Sequence, residues 1–192
     1  MGKLTWGKNV YATFLLCSQA NCTDGANPFA EPVLGTDRDF YGTTFIGGLY
    51  GDGTVFKITS GGALTTLHSF DFRDGSEPVG ALIQGIDGNF YGTTQNGGAS
   101  SSGTVFEITP GGMLTTLHSF CFQTNCPDGS VPDAPLVQAT NGDFYGTTLF
   151  GPNSSASCFA SGCGTVFKIT PRGTLTTLHS FDGTDGADPT TG

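Results

Sequence analysis

The residues with the clearest chemical potential are six cysteines, which fall into three C-x4-C pairs: Cys17/Cys22, Cys121/Cys126 and Cys158/Cys163. Zinc needs four ligands together, and each of these pairs sits in a different unit or loop of the chain, so local disulfides are the expected pairing. A bridge across so small a loop is worth about 2 kcal/mol in the chain-entropy model. Even pairing also implies an oxidising compartment. Three histidines, His68, His118 and His179, invite a metal reading as well. Each occupies the same place in a repeated LTTLHSF segment, so tandem geometry holds them one unit apart. They share a strand face with Leu64, Leu114 and Leu175 and with Phe70, Phe120 and Phe181, and packing between neighbouring units is their expected role.

Of the sixteen acidic residues, thirteen are Asp, most of them in turn-like segments. Aspartate caps its own backbone and tolerates unusual dihedrals, which is sufficient reason for it there. A sharper alternative is calcium. Two segments bunch hard oxygen ligands, Asp71, Asp74 and Glu77 in one and Asp182, Asp185 and Asp188 in the other. Both lie in units without the cysteine pair at that corner, and calcium is the one cofactor for which the sequence offers candidate ligands. Catalytic constellations are absent. The three glutamates, Glu31, Glu77 and Glu107, have no carboxylate partner at a repeated spacing, and neither GxSxG nor HExxH occurs. The glycine-rich stretch 97–103 is followed by no Lys and opens no helix, so it is not a phosphate loop. A non-enzymatic protein is expected.

Composition narrows the partners. Seven Lys and Arg against sixteen Asp and Glu leave a formal charge of −9, which argues against polyanion binding because phosphate contacts need clustered cations. Nucleic acid is excluded on this ground. No stretch approaches the roughly 18 to 20 apolar residues needed to cross a bilayer as a helix. Lys3 and Lys8 ahead of the apolar run 10–16, which ends at Cys17, imitate a lipoprotein signal, but internal repetition gives that segment another identity.

The chain of 192 residues is long enough for one core or one repeat array. FYGTT begins at Phe40, Phe90 and Phe144, while GTVF(K/E)IT begins at Gly53, Gly103 and Gly164. LTTLHSF begins at Leu64, Leu114 and Leu175, and an Asp-Gly-x-x-Pro element recurs at Asp24, Asp74, Asp128 and Asp185. The first two copies of FYGTT are 50 residues apart, which sets the length of the unit. Each unit reads as four short strands rich in Val, Ile, Phe, Tyr and Thr. In the second unit they are expected at 81–85, 90–94, 103–109 and 114–120, with hairpin turns between the first and second and between the third and fourth. Aligning Asp24 with Asp128 places Cys17 on Cys121 and makes residues 10–16 a degenerate fourth strand. The apparent signal is thus half a repeat.

A four-stranded antiparallel meander in tandem is the sequence form of a β-propeller blade. The expected architecture is an all-β, propeller-type array over 1–192: a partial blade at 1–28, repeats at 29–78, 79–132 and 133–189, and a tail at 190–192. A β-trefoil is the rival. The combination of DGNFYGTT, the glycine-rich loop, GTVFEITPGGMLTTLHSF and CFQTNCPDG resembles the GloVer tandem-repeat family of bacterial secreted proteins, which carry varied surface-anchoring C-termini. The resemblance covers essentially the whole chain. It implies an extracellular propeller-like array and carries over no catalytic residues. The family's signal peptide and anchor are not recognisable, so a mature form or an excerpt of a longer protein is expected.

The leading functional expectation is a structural, self-assembling extracellular repeat protein, forming an oligomer or filament through an unpaired edge at Val10, Ala12, Phe14 and Leu16. Alternatives are a surface module that binds glycans or peptides through loops on one propeller face or through exposed Tyr41, Tyr91 and Tyr145, and a segment of a larger secreted propeller.

Overall fold

The recurring segments carry β-branched and aromatic side chains between Gly- and Asp-rich turns, and each forms a strand in the computed structural model, which describes residues 17–152, 158 and 162–189. The first sheet contains β1 (Val33–Leu34), β2 (Phe40–Thr44), β3 (Thr54–Ile58) and β4 (Leu64–Ser69). The second contains β5 (Ile83–Gln84), β6 (Phe90–Thr94), β7 (Thr104–Ile108) and β8 (Leu114–Ser119), and the third β9 (Val137–Gln138), β10 (Phe144–Thr148), β11 (Thr165–Ile169) and β12 (Leu175–Ser180). Every sheet is an antiparallel meander whose strands pair in chain order. These are the blades of a β-propeller-type array, not the shared barrel of a trefoil. We call them blades 1, 2 and 3. The only helix among the described residues is a short 3-10 turn at Ala20–Cys22.

The innermost strand has two residues in each blade, and in blade 2 it is shorter than the expected 81–85. In blade 2 the ladder stops because the Gly85 amide donates to the Asn89 carbonyl and closes the turn. Upstream, Gly80 lies so near the Ala134 backbone of blade 3 that a Cβ there would stand 2.9 Å from the Ala134 carbonyl. The outermost strand carries a bulge in every blade. Val55 pairs with His68 but Phe56 with Thr66, leaving Leu67 as the extra residue, and the same shift recurs in blades 2 and 3.

Two apolar clusters hold the blades together, each lying at a junction. At the first, Tyr41, Val55 and Phe70 of blade 1 pack on Leu82, Phe90, Phe106 and Ile108 of blade 2. At the second, Tyr91, Val105 and Phe120 of blade 2 pack on Leu136, Phe144, Phe167 and Ile169 of blade 3. A blade therefore has a leading face, turned to its predecessor, and a trailing face, turned to its successor. Strand alternation sends Val105 to the trailing face and Phe106 and Ile108 to the leading one, so both faces of a central blade are apolar.

Candidate functional site

Repeated residues converge at two places in each blade, the junction with the next blade and the corner after the outermost strand. At the junctions the stacking is the same twice over. Tyr41 lies on Phe90 with ring centroids 3.9 Å apart, and Tyr91 lies on Phe144 at 4.1 Å. Phe70 meets Phe106 edge-on at 5.2 Å, as Phe120 meets Phe167. Each buried tyrosine keeps its hydroxyl satisfied by donating to an aspartate in its own hairpin turn, Tyr41 to Asp37 at 2.7 Å and Tyr91 to Asp87 at 2.6 Å. The Tyr41 hydroxyl bond holds the Asp37 carboxyl below its usual range. Burial, reinforced by the aspartates, pushes both phenols up. Tyr41 is 0% exposed and Tyr91 1%, which corrects the expectation that these rings are available to a glycan or peptide. Only Tyr145 is partly exposed.

The Asp-Gly-x-x-Pro element is the connector between blades. Its third residue bridges to the loop between the second and third strands of the next blade, pairing Ala26 with Ile46, Ser76 with Asn96 and Ser130 with Phe150. Its glycine sits on a buried pair of threonine hydroxyls, Thr94 Oγ1 and Thr104 Oγ1 2.8 Å apart in blade 2. Gly75 has φ +140°, and a Cβ there would stand 2.6 Å from Thr94 Cγ2, so any side chain would collide. Thr104 Oγ1 also donates to the Asp74 carbonyl.

The aspartate of the same element closes the corner. His68 Nε2 lies 2.6 Å from Asp74 Oδ2, His118 Nε2 2.8 Å from Asp128 Oδ2, and His179 Nε2 2.7 Å from Asp185 Oδ2. Each imidazole also stands edge-on to the phenylalanine two residues on, Phe70, Phe120 or Phe181. The histidines thus brace the corners of their own blades. Burial alone would raise the Asp74 carboxyl, yet the His68 ring and the Asp71 amide hold it below its usual range. The pairing was legible in principle, because His and Asp-Gly recur together in three units. In the partial blade 1–28 the aligned residue is Phe14, and Asp24 instead accepts from the Ser18 amide and hydroxyl.

All three cysteine pairs form disulfides, Cys17–Cys22, Cys121–Cys126 and Cys158–Cys163. The calcium candidates do not gather. Asp74 and Asp185 are taken by histidines, and Glu77 accepts from Asn96 of the next blade. Asp71 and Asp182 serve their own turns, Asp71 accepting from the Arg73 and Asp74 amides and Asp182 from Thr184. Asp188 has one buried carboxylate oxygen without a partner among the described residues. No group of three His, Cys, Asp or Glu positioned for a metal occurs among the described residues, so these donors do not fit a calcium ion. Val10, Ala12, Phe14 and Leu16 lie outside the described residues.

Sequence reasoning missed a set of polar ties at the inner turns. Gln84 of blade 2 accepts from the Thr36 amide of blade 1, and Gln138 of blade 3 accepts from the Ile86 amide of blade 2. It also missed a groove of about 690 Å³ beside the blade 1 corner, where Leu49 and Tyr50 stand exposed near His68, Asp71 and Asp74.

The Gloeobacter/Verrucomicrobia repeat, as a family model, matches residues 3–192. The chain belongs to this repeat family. No curated protein matches the repeat chain in sequence. Among solved structures, it is similar to streptogramin B lyase at a TM-score of 0.53 and 18% identity, with 80% of this chain and 40% of that one covered. It is also similar to a gluconolactonase from Xanthomonas campestris at 0.53 and 12% identity, with 83% and 49% covered. The repeat chain therefore spans less than half the length of either propeller, and at such identities the likeness speaks for the fold alone. No helix of the described residues is long and apolar enough to cross a membrane.

Proposed function

We propose that this member of the Gloeobacter/Verrucomicrobia repeat family is an extracellular, non-enzymatic structural protein that self-assembles through its blades. The observation that carries this reading is where the repeated residues go. Tyr41, Tyr91, Phe70 and Phe120 are consumed in stacking one blade on the next, and the histidine–aspartate pairs lock corners a blade apart instead of converging on a substrate. Catalytic sites instead place unlike groups within reach of one reacting atom. Three disulfides support an oxidising, extracellular setting.

Light scattering and negative-stain microscopy test the assembling role. Particles larger than the 19.8 kDa chain are expected, and a monodisperse single-chain particle at high concentration would overturn it. Gluconolactonase or streptogramin B lyase turnover that disappears in His68→Ala would overturn the non-enzymatic part. A second reading, a glycan or peptide binder, is favoured by the groove with exposed Tyr50 beside His68. Its test is calorimetric titration with oligosaccharides and peptides, in which Tyr50→Ala abolishes any heat seen with the parent chain.

A further inference from the structure

A groove lies along the outermost strand of blade 1 and, at the same place, of blade 2, with volumes of about 690 and 420 Å³. The repeat gives both the same polar floor. Thr66, His68, Ser69 and Asp74 line the first, and their counterparts Thr116, His118, Ser119 and Asp128 line the second. The rims differ. Among the described residues the blade 2 groove is lined from within 116–128 alone, with Phe122 as its ring. The blade 1 groove gains Leu49 and Tyr50 from the loop between β2 and β3, and Gln19 and Thr23 from the preceding corner. It is the larger of the two and falls within the roughly 300–1,000 Å³ of small-molecule sites.

Folding does not demand Leu49 and Tyr50. In blade 2 the same loop carries Ala99 and Ser100, and its left-handed positions coincide, Gly47, Gly48 and Gly51 in one loop and Gly97, Gly98 and Ser101 in the other. Yet Leu49 is 71% exposed and Tyr50 65%, so this loop holds in water two large side chains that its twin does without. The polar groups then select the ligand. No Lys or Arg lines the groove, which disfavours an anion. Its carboxylates already accept from His68 and from turn amides, so they do not call for a cation. The Thr66 and Ser69 hydroxyls can both donate and accept, while the Thr23 hydroxyl donates to Gln19 Oε1 at 2.9 Å and leaves the Gln19 amino group as a donor. A peptide strand fits poorly, because β4 is bulged at Leu67 beside the groove and the bulge breaks the regular edge that strand addition needs.

We infer that the blade 1 groove binds an uncharged saccharide chain, with Tyr50 as the platform for a sugar ring. This rests on the second reading above, that the groove is a binding site, and names its ligand. A pyranose has an apolar C–H face and a rim of hydroxyls that donate and accept. The first matches the exposed Tyr50 ring and Leu49, and the second matches a floor of hydroxyls, imidazole and carboxylate that carries no cation. The repeat thus supplies the polar floor in every copy, and the residues that depart from the repeat supply the stacking surface in one.

Calorimetric titration of the oxidised 192-residue chain with cellohexaose, laminarihexaose and maltohexaose tests the inference, with polygalacturonate and a random peptide library as contrasts. At least one of the three neutral hexasaccharides is expected to bind, and polygalacturonate, which sets a carboxylate on each ring, is not. Tyr50→Ala should weaken saccharide binding at least about tenfold with the melting midpoint unchanged, since the side chain is exposed. Tyr50→Phe, which keeps the ring, should bind within about twofold of the parent chain, and Ile86→Ala, exposed on an inner turn of blade 2, should bind as the parent does. Saccharide binding that survives Tyr50→Ala, or polygalacturonate binding as tightly as the neutral chains, overturns the inference. Heat from the peptides alone, lost in Tyr50→Ala, overturns the saccharide and leaves the groove a binding site. No heat from either class overturns both the inference and the reading beneath it.

Discussion

The corner between blades is built in two ways. In the corner after blade 1, Asp71 and Asp74 are three residues apart, and the Asp71 amide donates directly to the Asp74 carboxylate. After blade 2, Cys121 stands where Asp71 stood and Asp128 where Asp74 stood, seven residues apart, yet the Cys121 amide makes the same bond to Asp128 and His118 takes the place of His68. Four additional residues have been inserted without moving the anchor, and the Cys121–Cys126 bridge spans the insertion. The corner after blade 3 follows the short design, with the Asp182 amide donating to Asp185. The disulfide therefore does not fasten blades to each other. It restrains a lengthened loop whose closure would otherwise cost conformational entropy.

The largest test of this equivalence removes the anchor. Asp74→Ala deletes bonds from His68 and from the Asp71 amide to a charged carboxylate, and should cost about 3 kcal/mol in denaturant unfolding. Asp128→Ala should cost about half as much, because the bridge still holds its loop, and an equal or larger loss would break the comparison. Next in size is the bridge itself: Cys121→Ser with Cys126→Ser should cost about 2 kcal/mol. Replacing residues 121–128 by the sequence of residues 71–74 should recover all but about 1 kcal/mol of that loss, since the short corner needs no staple.

A smaller effect is set by pH. Asp24 and Asp74 both have carboxyls held below the usual carboxylate range. In both, the hydrogen bonds outweigh a burial that would raise them. A lowered folded value means that the stabilisation is complete above about pH 4 and drains away as the pH falls below it. The stability gap between the parent chain and Asp74→Asn should follow that course. Asp133 behaves oppositely. Burial raises its carboxyl, and one of its oxygens has no partner among the described residues, so the ionised form is a cost. Asp133→Asn should raise the melting midpoint by a few degrees at neutral pH, with the gain vanishing in acid. The smallest expectation concerns calcium, whose exchange for EDTA should leave the midpoint within about 1 °C because the acidic corners are spent on histidines and amides.

Much of the fold was readable because tandem repetition reports on itself: FYGTT, GTVF and LTTLHS became strands at the positions their alternation indicates. The direction of each face was less readable. A tyrosine beside polar turn residues looks like a surface group, and only the neighbouring blade, with Phe90 or Phe144, makes Tyr41 or Tyr91 a core residue. Alternation tells one face of a strand from the other but not water from a second sheet. The corner pairs escaped for a related reason. His68 and Asp74 are six positions apart, as are His179 and Asp185, but His118 and Asp128 are ten, so the recurrence shows only when the units are aligned and not at one fixed spacing. The short inner strand of blade 2 ends where the Gly85 amide closes the hairpin on the Asn89 carbonyl, a boundary that the residue types at 81–85 do not announce.

The threonine lock has a kinetic consequence. Thr104 Oγ1 reaches back 30 residues to the Asp74 carbonyl, and Thr165 Oγ1 reaches back 37 to that of Asp128. Such locks bind each blade to its immediate predecessor, so the search for the native state is divided into steps about one blade long. Loop closure then costs what a span of that size costs, however many blades are joined. Folding can proceed as a zipper that starts at any formed pair and advances by one connector at a time, and lengthening the array adds further steps without raising the height of any one of them.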